Sequence, residues 1–202
     1  MAYTADAVIA QARSEIGYTE SPAGSNRTKF AAEAGHANGQ PWCATFCVAM
    51  ARRCGGQVGN ESAYTPSLYG SMTHVSDPAV GDFAFFDFPD STHRIQHVGI
   101  VVSATASTVT CVEGNTSAGS GGSQSNGGGV YERTRSRSVV VGFGRPAYSE
   151  EADMTPGESE ALVETRDNVR ALVGLVTQLV AAVNENLTET RDNVRKLVER
   201  GN

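Results

Sequence analysis

The spacing of apolar positions divides this chain into three regimes. From Ala5 to Ile16 the apolar residues Val8, Ile9, Ala12 and Ile16 recur at helical intervals, which predicts an amphipathic helix stopping at Gly17. A turn-rich stretch, Ser21–Asn26, separates it from a second helical piece at Thr28–Ala34, and Gly35–Pro41 breaks the chain again. Trp42–Arg53 reads as a third helix, closed by Gly55 and Gly56. The period then changes to that of strands, predicted at Asp82–Phe88, His97–Ser103, Thr108–Glu113 and Val139–Phe143. The glycine-rich Gly114–Gly129 lies between the last two and reads as a loop, either a plain linker or the flank of a cleft. Helices first and a meander of strands afterwards predict an α+β domain with an antiparallel sheet.

The third regime starts near residue 150. Leu162, Val169, Leu172, Val176, Leu179, Val183, Leu187, Val194 and Leu197 follow one another at steps of 7, 3, 4, 3, 4, 4, 7 and 3, a heptad-like seam with one stutter. The segment Glu164–Arg170 recurs 25 residues later as Glu189–Arg195. At about 100° per residue both copies face the same way. Thr155, Pro156 and Glu158 provide a helix start. One such stripe has too little surface to be stable alone, so a parallel homo-oligomeric coiled coil is expected. The alternatives are a hairpin folded near Asn184–Asn186 or docking on the first domain. The expected organisation is a domain over 1–148, a linker over 149–157 and a long helix over 158–202.

Composition sharpens that boundary. Residues 1–150 carry 10 basic and 12 acidic side chains and every Trp, Tyr, Phe, Cys and His; residues 151–202 carry 6 and 10, with no aromatic. The first composition builds a core and the second a solvated helix. The missing aromatics also argue against a sugar-stacking site there. The net charge of −6 removes the nonspecific grip of a basic protein on nucleic acid. Ala171–Val183, the most apolar run, is 13 residues long and contains Thr177 and Gln178, so no membrane insertion is expected. The start of the sequence shows no basic, then apolar, secretory signal.

The candidate chemistry is that of a thiol. Four cysteines are too few for a disulfide scaffold, and the spacing C-x3-C-x6-C is not a zinc pattern. Cys47 and Cys54 read as core residues. Cys43 stands in the first turn of a predicted helix, where unpaired amides favour a thiolate and can hold an oxyanion. A nucleophile there needs a base. Of the four histidines, His97 opens the strongest strand. If His97–Ser103 and Thr108–Glu113 form an antiparallel hairpin, Glu113 becomes a cross-strand neighbour of His97 and can orient its ring. Asn115 follows on the same side if the chain stays extended.

The stretches GYTESP, GSNRTKF, PWCATFC, VGDFAFF, HVGIV and VEGNTS, spread over residues 3–148, resemble CHAP domains, the papain-like cysteine, histidine-dependent amidohydrolase/peptidases. The similarity extends to the CHAP endolysins of actinobacterial phages. It implies a papain-like CHAP fold and a peptidoglycan hydrolase, acting as N-acetylmuramoyl-L-alanine amidase or cross-bridge endopeptidase. Cys43 would be the nucleophile, His97 general base and then acid, Glu113 the orienting group and Asn115 an accessory member. Tyr18, Glu20, Asn26, Trp42 and Asp82 would line the substrate cleft, with core packing the other reading of Trp42 and turn bonding that of Asn26 and Asp82. Two departures stand out. No aspartate-rich calcium loop surrounds Cys43, so no metal and no cofactor are expected. Trp42 replaces the glutamine that precedes the nucleophile in some relatives, so Gln40 could donate to an oxyanion only if the loop turned its amide inward. The resemblance further implies bacterial peptidoglycan as partner and residence in the host cytoplasm until lysis, then at the wall. A virion or tail-associated structural protein and a bacterial cysteine peptidase are the alternative expectations.

Overall fold

The computed structural model describes residues 2–89, 94–119, 122–149 and 156–200; within the last span, side chains are described at 165, 168, 169, 171–188, 190, 191, 195 and 196. It divides into two compact units, Met1–Glu150 and Glu151–Asn202. The first is α+β. Helices α1 (Ala5–Ser14), α2 (Lys29–Ala34), α3 (Cys43–Arg53) and α4 (Thr65–Gly70) precede strands β1 (Thr73–Val75), β2 (Phe83–Phe86), β3 (His97–Ala104), β4 (Thr108–Thr116), β5 (Gly129–Ser136) and β6 (Val140–Arg145). All strand pairs are antiparallel, in the order β1-β6-β2-β3-β4-β5.

The periodicity located α1 to within two residues. Thr4 caps it by accepting from the Ala7 amide, and Val8, Ile9 and Ala12 are buried. Ile16 lies past the helix end and is 44% exposed, so it is not part of the buried face. α3 is buried over Cys43–Ala51 without a break, because α1, α2, β3 and β4 pack around it. The glycine at 114 permits this approach. A Cβ there would lie 2.5 Å from Phe46 Cβ and 2.9 Å from the Trp42 ring.

Two strands, β1 and β5, lie where the hydrophobic pattern predicts none. β1 has three residues, two of them exposed, and carries no periodicity to detect. β5 is an edge strand on which Arg133 and Arg135 of ERTRSR alternate with Thr134 and Ser136, and its first residue ends the glycine-rich stretch that reads as a loop.

The second unit is one helix, α5 (Pro156–Arg200), of 45 residues and about 68 Å. It continues through Asn184–Asn186, so the hairpin alternative does not form. Thr155, expected as the helix cap, and the expected linker apart from residues 149, 156 and 157 lie outside the described residues. The seam residues Val169, Leu172, Val176, Leu179, Val183 and Leu187 are 48–65% exposed, as are Val173, Leu175 and Val180. The apolar run is also longer than the 13 residues counted from the sequence. Ala171–Thr188, 18 residues of mean hydropathy 1.2, is long and apolar enough to cross a membrane.

Candidate active site

Cys43 is the first residue of α3 and 2% exposed. Trp42, which precedes it, occupies the cap position and provides no side-chain cap. The first amides of the helix therefore have no partner within it and are the donors available to an oxyanion formed beside Cys43. Cys43 forms part of the wall of a cleft of about 350 Å³ lined also by Gln40, Tyr64, Arg94, Gln96 and Asn126.

His97 opens β3 and is fully buried beside the rings of Phe86 and Phe88, at centroid distances of 6.0 and 5.8 Å. Its Nε2 lies 2.9 Å from Glu113 Oε2. The β3–β4 register pairs Ile100 with Val112, which carried one step further sets Gly99 opposite Glu113. His97 and Glu113 thus meet diagonally rather than as directly opposed neighbours. The diagonal is open because position 99 has no side chain, for a Cβ there would lie 2.7 Å from Glu113 Cγ.

Nδ1, the other ring nitrogen, is buried and makes no hydrogen bond of good geometry, yet Cys43 acts on this ring through a contact that raises its basicity. With Nε2 taken by Glu113, Nδ1 is the nitrogen left for the thiol. Burial by itself depresses the His97 pKa, but the Glu113 charge and the contacts with Cys43 and Glu113 outweigh it and raise the pKa to about 9. At neutral pH the ring is an imidazolium. Glu113 is also fully buried, which favours its neutral form, but the His97 charge and the hydrogen bonds from Arg135 hold its carboxyl below the usual range. Cys47 and Cys111 are fully buried thiols whose pKa burial pushes up. Desolvation also raises that of Cys54. These three are core thiols, and all four cysteines are free. Among the described residues no group of three or more His, Cys, Asp or Glu is placed to hold a metal.

Asn115 is not where an extended chain would put it. Its φ is +59°, and its side chain turns to the glycine-rich loop. Nδ2 donates to Asn126 Oδ1 at 3.1 Å, and Oδ1 accepts from the Gly128 amide at 3.3 Å. No hydrogen bond joins it to His97, so its accessory role is that of a loop clamp.

Of the residues expected to line the cleft, Gln40 does so, with its Nε2 donating to the Ala37 carbonyl. The other five are not among its lining residues. Trp42 is a core residue, stacked on Phe30 and donating from Nε1 to the buried Glu20 at 2.9 Å. Tyr18 packs edge-on against Phe30 and Trp42. Asn26 holds a turn at φ +51°, its carbonyl accepting from the Gly39 amide. Asp82 is buried, accepting from Arg145 and from the Ala79 amide. Glu20, Trp42 and Asp82 are thus satisfied internally, whereas the buried Oδ1 of Asn26 makes no hydrogen bond.

Arg135 was missed. It is 8% exposed and grips Glu113, with Nε on Oε1 at 2.9 Å and Nη2 on Oε2. Nothing in ERTRSR marks it off from Arg133 and Arg137. The cleft residues Ala63–Thr65, Arg94–Gln96, Ser125 and Asn126 come from loops and a helix start without periodicity.

Residues 35–115, from the turn before α3 to the end of the Glu113 strand, match the family model of the CHAP domain. That span is similar to a CHAP domain. Such domains are cysteine- and histidine-dependent amidohydrolases or peptidases, and the matched span holds Cys43, His97 and Glu113. Among solved structures, one from Staphylococcus aureus, described as similar to lipoprotein of the NLP/P60 family, aligns at 14% identity with a TM-score of 0.45. The match covers 72% of this chain and 42% of that one, so the alignment spans less than half of that protein. A comparison with curated proteins gives no match.

Proposed function

We propose that this CHAP domain hydrolyses an amide bond of bacterial peptidoglycan by acyl transfer, in the manner of a phage endolysin. The observation that carries the chemistry is the buried line from the helix-start thiol of Cys43 to His97 and Glu113. The Cys43 thiolate attacks the amide carbonyl and forms a C–S bond, while the first amides of α3 hold the oxyanion. The His97 imidazolium gives its proton to the departing nitrogen as the C–N bond breaks. Water, deprotonated by the neutral ring, then opens the thioester and restores thiolate and imidazolium. The amide between N-acetylmuramic acid and L-alanine is the bond we favour, ahead of a cross-bridge peptide bond.

The helix α5 completes the proposal. Val169, Val176 and Val183 alternate with Leu172 and Leu179 along the seam, the β-branched and γ-branched pattern of parallel coiled coils. We assign it to self-association, which would multiply wall contacts per assembly. The protein would accumulate in the host cytoplasm and reach the wall at lysis.

The test is digestion of purified actinobacterial peptidoglycan by the full chain and by Cys43→Ala, with mass analysis of the fragments. Release by the intact protein alone supports the reading, and muramic acid freed from peptide identifies an amidase. Equal release by both proteins would remove Cys43 from the mechanism. Cleavage of soluble proteins without attack on the wall would favour a cysteine peptidase.

A further inference from the structure

The glycine-rich segment between β4 and β5 is tied down at both ends of its course. Thr116 Oγ1 donates to the Gln124 carbonyl, Ser117 Oγ to the Ser123 carbonyl, and Asn115 Nδ2 to Asn126. Gln124 Oε1 accepts from two arginines of β5, Arg133 Nη2 at 3.1 Å and Arg135 Nη1 at 2.6 Å. The next two residues, Ser125 and Asn126, are part of the cleft wall that Cys43 shares.

Arg135 thus has two faces in use. Nε and Nη2 hold both oxygens of Glu113, Nη2 also reaches Thr116 Oγ1, and Nη1 holds the loop through Gln124. The guanidinium lies 5.0 Å from the Phe88 ring centroid, beside the ring that also flanks His97. Because the guanidinium is planar and its donors are fixed in a fork, Nη1 cannot shift without turning the edge that grips Glu113.

We propose that Arg135 is a positioning residue that couples the cleft-lining loop to the Glu113–His97 pair, so that the seat of the loop sets how firmly the ring is held. This rests on the thiol mechanism proposed above. Arg135 would touch no substrate and act through Glu113. The groups that act on Glu113 are His97 from β3, Arg135 from β5, Cys47 from α3 and, on its own strand, Cys111. Arg135 and the His97 imidazolium are the cations among them. Removing Arg135 leaves a desolvated carboxylate that protonates more readily. His97 then loses its counter-charge, and the ring no longer activates the Cys43 thiol.

The experiment is the pH dependence of Cys43 alkylation by iodoacetamide in the full chain, which needs no peptidoglycan. Labelling is read at Cys43 by peptide mass analysis. Arg135→Met moves the acid limb to higher pH, with alkylation about tenfold slower near pH 6. Arg135→Lys, which keeps the charge and loses the fork, falls between it and the unmodified protein. Gln124→Ala moves the limb in the same direction by less, because Arg135 loses the acceptor that fixes its outer edge. A folded Arg135→Met or Arg135→Lys protein with an unmoved limb overturns the positioning role, since a merely structural arginine alters stability and not the profile. An unmoved limb in Gln124→Ala overturns the coupling to the loop. Failure of the catalytic reading is separate: it shows as a Cys43 profile in the unmodified protein that His97→Ala does not change.

Discussion

Gly99 is the residue whose replacement tests the geometry of the site most directly. Substituting alanine adds one carbon, and that carbon would sit 2.7 Å from Glu113 Cγ and 2.9 Å from Cys111 Cβ. Ordinary carbon contacts lie at about 3.5–4.0 Å, so the neighbours must yield by nearly 1 Å. Cys111 is anchored in the middle of β4, between β3 and β5, and cannot give readily. The Glu113 side chain must take up the movement. Its oxygen is 2.9 Å from His97 Nε2, and a displacement of about 0.7 Å carries the pair past hydrogen-bonding range. Overpacking of this kind costs about 1–3 kcal/mol, which lowers Tm by about 2–12 °C in a chain of this size. Two assays separate the effects. Thermal unfolding reads the packing cost, and Cys43 alkylation against pH reads the state of the His97–Glu113 pair. The expectation is a folded protein, modestly less stable, whose alkylation profile has lost its His97-dependent limb. A Gly99→Ala protein with the alkylation profile of the unmodified chain would falsify the argument that position 99 keeps the diagonal open.

Three further outcomes follow from the same structure. The His97 pKa lies above its ordinary value, so the ion pair stabilises the fold fully below about pH 6.5 and loses that contribution as pH rises through about 9; denaturant titrations at pH 7 and pH 10 on the protein and on His97→Gln should show the difference shrinking, and a constant difference would contradict it. Glu113 has the opposite sign, its contribution fading as pH falls through its lowered value. Trp42→Phe leaves the buried Glu20 carboxylate without its indole donor at a cost of about 1–3 kcal/mol; adding Glu20→Gln recovers part of the loss in chemical unfolding, and no recovery would mean the indole acts through packing alone. For α5, sedimentation velocity should give an oligomer for the full chain and a monomer for Leu172→Asp/Leu179→Asp, whereas a monomer that floats with phosphatidylcholine vesicles would show that Ala171–Thr188 is occupied by lipid instead.

Local periodicity and chain order carried much of the architecture. Helical spacing found α1–α3, alternating runs found β2, β3, β4 and β6, and the loss of aromatics near residue 150 coincides with the division between the two units. The thiol at a helix start, the histidine at a strand start and a glutamate on the next strand were also legible, because each is a statement about position along one element. What the sequence did not contain was the third dimension of the polar groups. Which of Arg133, Arg135 and Arg137 turns inward depends on the pairing of β5 with β4 and on the irregularity between Glu113 and Thr116. The same irregularity, with a positive φ at Asn115, takes that residue away from the ring. Tyr18, Glu20, Trp42 and Asp82 carry side chains suited equally to a cleft and to an internal hydrogen bond, and partners far along the chain decided between the two. Hydrophobic pattern is a local property and survives in one dimension, whereas the pairing of a buried charge is set by strand register and by a missing methyl at Gly99, which only the assembled sheet fixes.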